Sequence, residues 1–193
     1  MMNPKYDQNE VMLDLQFVAK NGGREKIESE LAKLADYEKR LASANLLKYE
    51  VDLDVTPKCP GNLKIAEEKH QIASRVKGKI EVGSADDVKK LVNLHLDPGQ
   101  MNGKCIGSHK LKKKLEGQPV YGAVLLDFLL EHPEFIPDEW KTKGLIYFWG
   151  TTFRSSGGGL CVRRLDWGGG RWYSDFYWLD YVWYGHGPAA LRA

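Results

Sequence analysis

LIYFWGTTFRSSGGGLCVRRLDWGGGRWYSDFYW, residues 145–178, decides how the rest of the chain is read. It contains three β-rich runs, Leu145 to Phe153, Leu160 to Trp167 and Arg171 to Trp178. Ser155-Ser156-Gly157-Gly158-Gly159 and Gly168-Gly169-Gly170 separate them. Aromatic and β-branched side chains suit a pleated surface, and glycine supplies the positive φ of tight turns. The pattern therefore predicts an antiparallel meander. Composition changes at the same place. Residues 144–193 contain no Lys, Glu, Gln or Met and hold thirteen of the 21 aromatic residues.

Upstream of the meander the periodicity is helical. Apolar residues recur at helical spacing from Glu10 to Val18 and from Arg24 to Leu47, with Asn21-Gly22-Gly23 as the break. Residues 1–48 thus read as a helical hairpin or extension, and the 10–47 stretch as a surface for a partner or for self-association. Tyr49 to Val55 alternates apolar and acidic residues, the period of a half-buried strand, and Pro57 and Pro60 stop it. Asn62 to Val76 reads as a helix. A second helix starts at Ser84-Ala85-Asp86-Asp87 and is expected to run to Leu96, before Asp97-Pro98-Gly99. Val120 to Leu130 is the most apolar helical candidate. The fold class is therefore α+β: a helical N-terminal part, then 49–193 as an α+β ligand-binding domain whose β-rich part is 144–193.

Composition limits the function classes. The chain has 193 residues, 42% of them apolar, enough for a core that needs no staple. Its 28 basic and 26 acidic side chains leave a net charge of +2, which is no basic footprint for nucleic acid. Cys59, Cys105 and Cys161 are odd in number and widely spaced, unlike a disulfide framework. The acidic N-terminus lacks the features of a signal peptide, and no run approaches a membrane span. These features predict a cytoplasmic location and leave surface display open.

No reaction chemistry emerges. Cys105 and His109 have ligand spacing for zinc, but a tetrahedral site needs four ligands and no second pair sits nearby. Cys59 has no local base to activate it. The glycine runs lack the form of phosphate loops and read as turns. The basic stretch His109 to Lys114 reads as a solvated helix face. His186, Asp175 and Asp180 lie close in sequence without naming a reaction. The expectation is no cofactor, no metal and no catalysis.

The segment RWYSDFYWLDYVWYGHGP, residues 171–188, carries aromatics at both strand parities. A sheet with one dry face needs apolar residues only at alternate positions, so Tyr173, Tyr177, Tyr181 and Tyr184 are surplus to folding. Tyr, Ser, Gly, Asp and His are also the residues of paratopes, where Tyr gives rigid contact area. An aromatic-rich core fits the same composition.

LLEHPEFIPDEWK (129–141), LIYFWGTTFR (145–154), LCVRRLDW (160–167) and RWYSDFYWLDYVWYGHGPAAL (171–191) closely resemble a set of uncharacterised bacterial proteins associated with the candidate phyla radiation. Their tails vary around a frame of Trp, Trp-Leu-Asp, Trp and Pro-Ala-Ala. This resemblance implies a variable protein of a diversity-generating retroelement, a system that rewrites a target gene by mutating adenines during reverse transcription. It covers residues 118–193. It implies a scaffold of Trp172, Trp178, Leu179, Asp180 and Trp183. The variable, ligand-binding positions between them are Tyr173, Ser174, Asp175, Phe176, Tyr177, Tyr181, Val182, Tyr184, Gly185, His186 and Gly187. An Asn codon mutated at its first two positions never yields Lys, Glu, Gln, Met or Trp, and all eleven positions obey that exclusion. The family expectation is a C-type-lectin-like fold. The Gly-Phe-Arg ending that many such proteins carry is missing here, which points to a smaller or distinct β scaffold.

The expected function is therefore non-catalytic binding of a protein or glycan through a diversified aromatic surface. The rivals are a carbohydrate-binding module that stacks sugars on exposed aromatics, and a nucleic-acid-binding accessory module that adds the 109–114 basic helix.

Overall fold

The computed structural model describes residues 48–193 except His186, together with Glu28, Ser29, Leu31, Ala32 and Lys33, which are helical. The rest of the expected N-terminal hairpin lies outside the described residues. Residues 48–193 form one structural unit, distinct from 1–47.

The unit opens with strand β1 (Tyr49–Asp52), the short β2 (Lys64–Ile65) and β3 (Lys79–Val82). β1 pairs antiparallel with β3, Val51 opposite Ile80, so the expected strand finds its partner upstream of the meander. The helix expected over Asn62 to Val76 does not form. β2 instead pairs with the edge of a later strand, and the buried Gln71 side chain extends that pairing. Its Nε2 donates to Thr152 O (3.0 Å) and its Oε1 accepts from Thr152 N (2.8 Å). Tertiary hydrogen bonds override local helix propensity here.

Helix α1 (Ala85–Leu91) starts where expected. Ser84 caps it by accepting from Asp87 N at 3.1 Å, and Asp86 and Asp87 occupy its first turn, where the helix dipole favours acids. It stops five residues short of Leu96, because Val92–His95 becomes strand β4. Next come β5 (Ile106–Gly107), α2 (Ser108–Leu115) and α3 (Ala123–Glu131).

The meander forms as predicted: β6 (Ile146–Arg154), β7 (Leu160–Gly168) and β8 (Arg171–Trp178) pair antiparallel in sequence. Gly169 and Gly170 hold φ +60° and +77° in the second turn, where a side chain would be strained. The chain ends with β9 (Val182–Trp183) and β10 (Ala189–Arg192). β10 inserts between β4 and β6, antiparallel to the first and parallel to the second, giving the order β4-β10-β6-β7-β8 with β2 also on β6. β9 pairs with β5 away from this sheet. The architecture is thus mixed α+β with a mostly antiparallel sheet in the C-terminal part.

β6 is buried at eight of its nine residues, and alternation divides them between two cores. Ile146 and Phe148 pack with Leu125, Leu126 and Leu129 of α3 on one face. Tyr147 and Trp149 pack with Leu111 and Leu115 of α2 on the other. Gly150 lies where β6 slips register, and an added Cβ there would stand 2.7 Å from Gly122 N. This close approach lets Thr151 Oγ1 accept from Ala123 N (3.0 Å), a cap for α3 supplied from a different element. Among the described residues no helix is long and apolar enough to cross a membrane.

Candidate ligand-binding surface

β8 is the last strand of the sheet, and its alternation sorts the expected binding positions onto two faces. Tyr173, Asp175 and Tyr177 share one face and stand opposite Asp166, Arg164 and Val162 of β7. Ser174 and Phe176 occupy the other face, with Trp172 and Trp178. There Ser174 Oγ accepts from Arg163 Nε at 3.2 Å, while Phe176 and Trp178 meet edge-on at 5.1 Å over the cluster of Leu63, Phe153 and Cys161. The eleven positions therefore do not form one surface.

Toward the turn between β7 and β8 the first of these faces is braced across strands. Arg164 pairs with Asp175 at 2.9 Å, and Tyr173 Oη donates to Asp166 at 2.7 Å. That hydrogen bond to a carboxylate pushes the Tyr173 phenol above its ordinary value. Beyond β8 the chain turns through Asp180, which is exposed, between the buried Leu179 and Trp183. Tyr181, Val182 and Tyr184 project outward at 54%, 41% and 45% exposure.

An aromatic column supports them. Trp149 is fully buried and meets Trp183 at 4.5 Å, and Trp183 meets Tyr147 at 4.1 Å and Tyr177 at 4.9 Å, both edge-on. Tyr177 in turn touches Tyr181 at 5.4 Å. Such pairs add about 0.5–1.5 kcal/mol each beyond buried area and leave the outer rings little freedom to lose. Trp183 contacts Tyr147, Trp149 and Tyr177 and so joins this column.

Two of the expected positions are tightly fitted glycines. An added Cβ would stand 2.9 Å from Gln100 O at Gly185 and 2.7 Å from the Tyr147 ring at Gly187. His186 lies outside the described residues.

The main chain of this loop is held from beneath. Gln100 is buried, and its Nε2 donates to the carbonyls of Tyr184 (2.9 Å) and Gly187 (3.1 Å). Ser108, also buried, donates to Tyr181 O and accepts from Trp183 Nε1 at 2.8 Å. Sequence reasoning passed over both residues. For Gln100 a signal existed: Asp97-x-x-Gln100 has capping-box spacing, and the box forms, with Asp97 N donating to Gln100 Oε1 at 3.2 Å. For Ser108 nothing in the pattern singles out the hydroxyl.

Among the described residues the surface holds a small notch, about 40 Å³, walled by Tyr147, Tyr177, Val182, Trp183 and Tyr184. A larger, shallow cleft of about 440 Å³ lies elsewhere, where Trp167 meets Trp172 at 5.1 Å among Lys89, Glu134, Asp138 and Lys141. The basic 109–114 segment forms α2, and two of its lysines serve the structure. Lys112 donates to His70 O at 2.7 Å, its ammonium disfavoured by burial, and Lys114 bonds both Asp97 oxygens at 2.7 and 2.9 Å. Among the thiols, Cys161 is buried, which pushes it up to about 11 and keeps it protonated, while Cys59 and Cys105 are exposed. Among the described residues no group of three or more His, Cys, Asp or Glu could hold a metal ion.

Comparison with family models, curated proteins and solved structures gives no match.

Proposed function

We infer that the chain is a non-catalytic binding protein whose ligand surface consists of Tyr173, Asp175, Tyr177, Tyr181, Val182 and Tyr184, diversified by adenine-directed mutagenesis. The observation that carries this reading is the separation of roles within one short segment. Tyr173, Asp175, Tyr181, Val182 and Tyr184 are exposed and Tyr177 is half-buried beside Trp183, while the loop that bears the last three is held by buried groups bonded to its carbonyls. The residue types are those of paratopes, and rigid Tyr converts contact area into affinity with little entropic loss.

The ligand is a macromolecular surface, protein or glycan. Enclosing a small molecule takes about 300–1,000 Å³, far more than the notch of about 40 Å³ provides. An apolar side chain of a protein ligand fits that notch as an anchor. The lectin-like fold belongs to the same proposal. It draws support from β4 and β10, which pair with each other at the two ends of residues 92–192 and so close a loop holding two helices and the meander.

The test is to randomise the six positions with the codon set that adenine mutagenesis of Asn produces, and to select against several unrelated proteins. Different tails are expected for different targets. Enrichment of one tail for all targets, or of none, would overturn the reading.

The carbohydrate alternative has its own observation, the Trp167–Trp172 cleft with acids and lysines on its rim. It predicts binding to a glycan array that Trp172→Ala abolishes and that exchange of the six tail residues leaves intact.

A further inference from the structure

We propose that Gln100 and Ser108 are positioning residues that fix the main chain through the carbonyl oxygens of 181, 184 and 187, so that the backbone at those residues keeps one shape whatever side chains stand at 181, 182 and 184. This rests on the reading of those positions as diversified and adds how the fold tolerates it.

The hydrogen bonds are the argument. Gln100 is 2% exposed, and its amide is used at both ends: Oε1 accepts from Asp97 N, while Nε2 donates to the carbonyls of Tyr184 and Gly187. Ser108 is equally buried and links Tyr181 O to the Trp183 indole N–H. A carbonyl is the same group in every residue. A clamp on the carbonyls of 181, 184 and 187 therefore reads the path of the chain and not its sequence. Clamping through side chains would fail whenever a side chain was replaced.

The surroundings agree with a device of this kind. The Ile106–Trp183 and Gly107–Val182 pairs between β5 and β9 are also main-chain pairings. Gln100 is itself fixed, because Asp97 caps the turn at Gly99 N (2.7 Å) and is anchored to Lys114 of α2. Gly185 fits against Gln100 O, and Gly187 against Tyr147, so the two positions with no room for a Cβ are the ones that touch the clamp and the aromatic column. Diversity at 181, 182 and 184 then changes the chemistry of the surface without changing its shape, and 185 and 187 stay glycine.

Hydrogen exchange measured by mass spectrometry on the full chain, without ligand, tests this. In Gln100→Leu and Ser108→Ala, peptides covering 180–188 are expected to exchange about tenfold faster, while peptides covering 146–165 are unchanged. Ser108→Thr, which keeps the hydroxyl, stays near wild type. The triple variant Tyr181→Ala/Val182→Ala/Tyr184→Ala keeps wild-type protection in 180–188. Unchanged exchange in Gln100→Leu, or a triple variant as loose as Gln100→Leu, overturns the proposal. If Gln100→Leu does not fold, the triple variant decides alone: protection kept supports the clamp, protection lost refutes it. Sibling genes without tail variation would remove the diversification reading and leave this result standing.

Discussion

At the level of single side chains, Gly187 and Tyr181 are expected to answer substitution in opposite ways. In Gly187→Ala the new methyl meets the Tyr147 ring at 2.7 Å, and that ring is buried and packed on Trp183, so neither partner can yield cheaply. Overpacking of this kind costs about 1–3 kcal/mol. Tyr181→Ala removes a ring that is 54% exposed, and its effect on stability stays within about 0.5 kcal/mol. Thermal denaturation of the two variants checks this, and equal melting points would contradict it. The contrast also marks the limit of reading residues from the sequence. Alternation singled out the surplus Tyr residues and correctly separates 173 and 177 from 172, 176 and 178, but Tyr177 packs on Trp183 and is not surplus to folding. It could not show that Gly185 and Gly187 are spatially constrained, because the atoms that constrain them, Gln100 O and the Tyr147 ring, come from distant parts of the chain.

Between elements, two polar joints set the geometry under the surface. The first is Arg163–Asp127 at 2.6 Å, in which Arg163 also bonds Ser174 and Lys58 O and so ties β7, β8, α3 and the 58 loop together. Asp127→Ala leaves a buried guanidinium without its counter-charge and is expected to cost about 3–5 kcal/mol by chemical denaturation. Asp127→Leu combined with Arg163→Met recovers most of it. The second joint is Asp97–Lys114. Burial disfavours the Asp97 carboxylate, but the Lys114 ammonium and the Gly99 N–H outweigh it and hold the group below the usual carboxylate value. The folded value is thus lower than the unfolded one. The stabilisation is fully present above the ordinary value near 3.8 and is lost as pH falls through the depressed value. Acidification below pH 3.8 is expected to change Trp183 fluorescence in the wild type, and Asp97→Asn is expected to lack that step. The same step in Asp97→Asn would contradict the assignment. The meander, α3 and the start of α1 were legible because their periods and punctuation agree with their tertiary surroundings. β10 was not: Ala-Ala-Leu-Arg is too short to show a period, yet it lies inside the sheet between β4 and β6. The 62–76 segment has helical spacing but is drawn out along β6 by Gln71 and β2.

At the scale of the molecule, residues 48–193 combine a two-faced sheet, packed against α3 on one side and α2 on the other, with a short segment whose carbonyls at Tyr181 and Tyr184 are bonded by buried side chains and whose Tyr181, Val182 and Tyr184 side chains are exposed. The near-balanced net charge of +2 and the structural use of Lys112 and Lys114 weigh against nucleic acid as the ligand. Under the proposed function this scaffold presents variable side chains. Its expected pattern of variation is uneven within the tail. Positions 173, 175, 181, 182 and 184 are expected to vary most widely, and 177, half-buried against Trp183 and Tyr147, to vary among side chains that fill that space. Ser174 and Phe176 face the interior and tolerate only what fits there, and 185 and 187 retain glycine. Deep sequencing of this tail across sibling genes and cells of the same population tests the claim most directly. The account predicts substitutions concentrated at those six positions, traceable to template adenines, around unchanged Trp172, Trp178 and Trp183. Substitutions spread evenly along 171–188, or unrelated to template adenines, would contradict it.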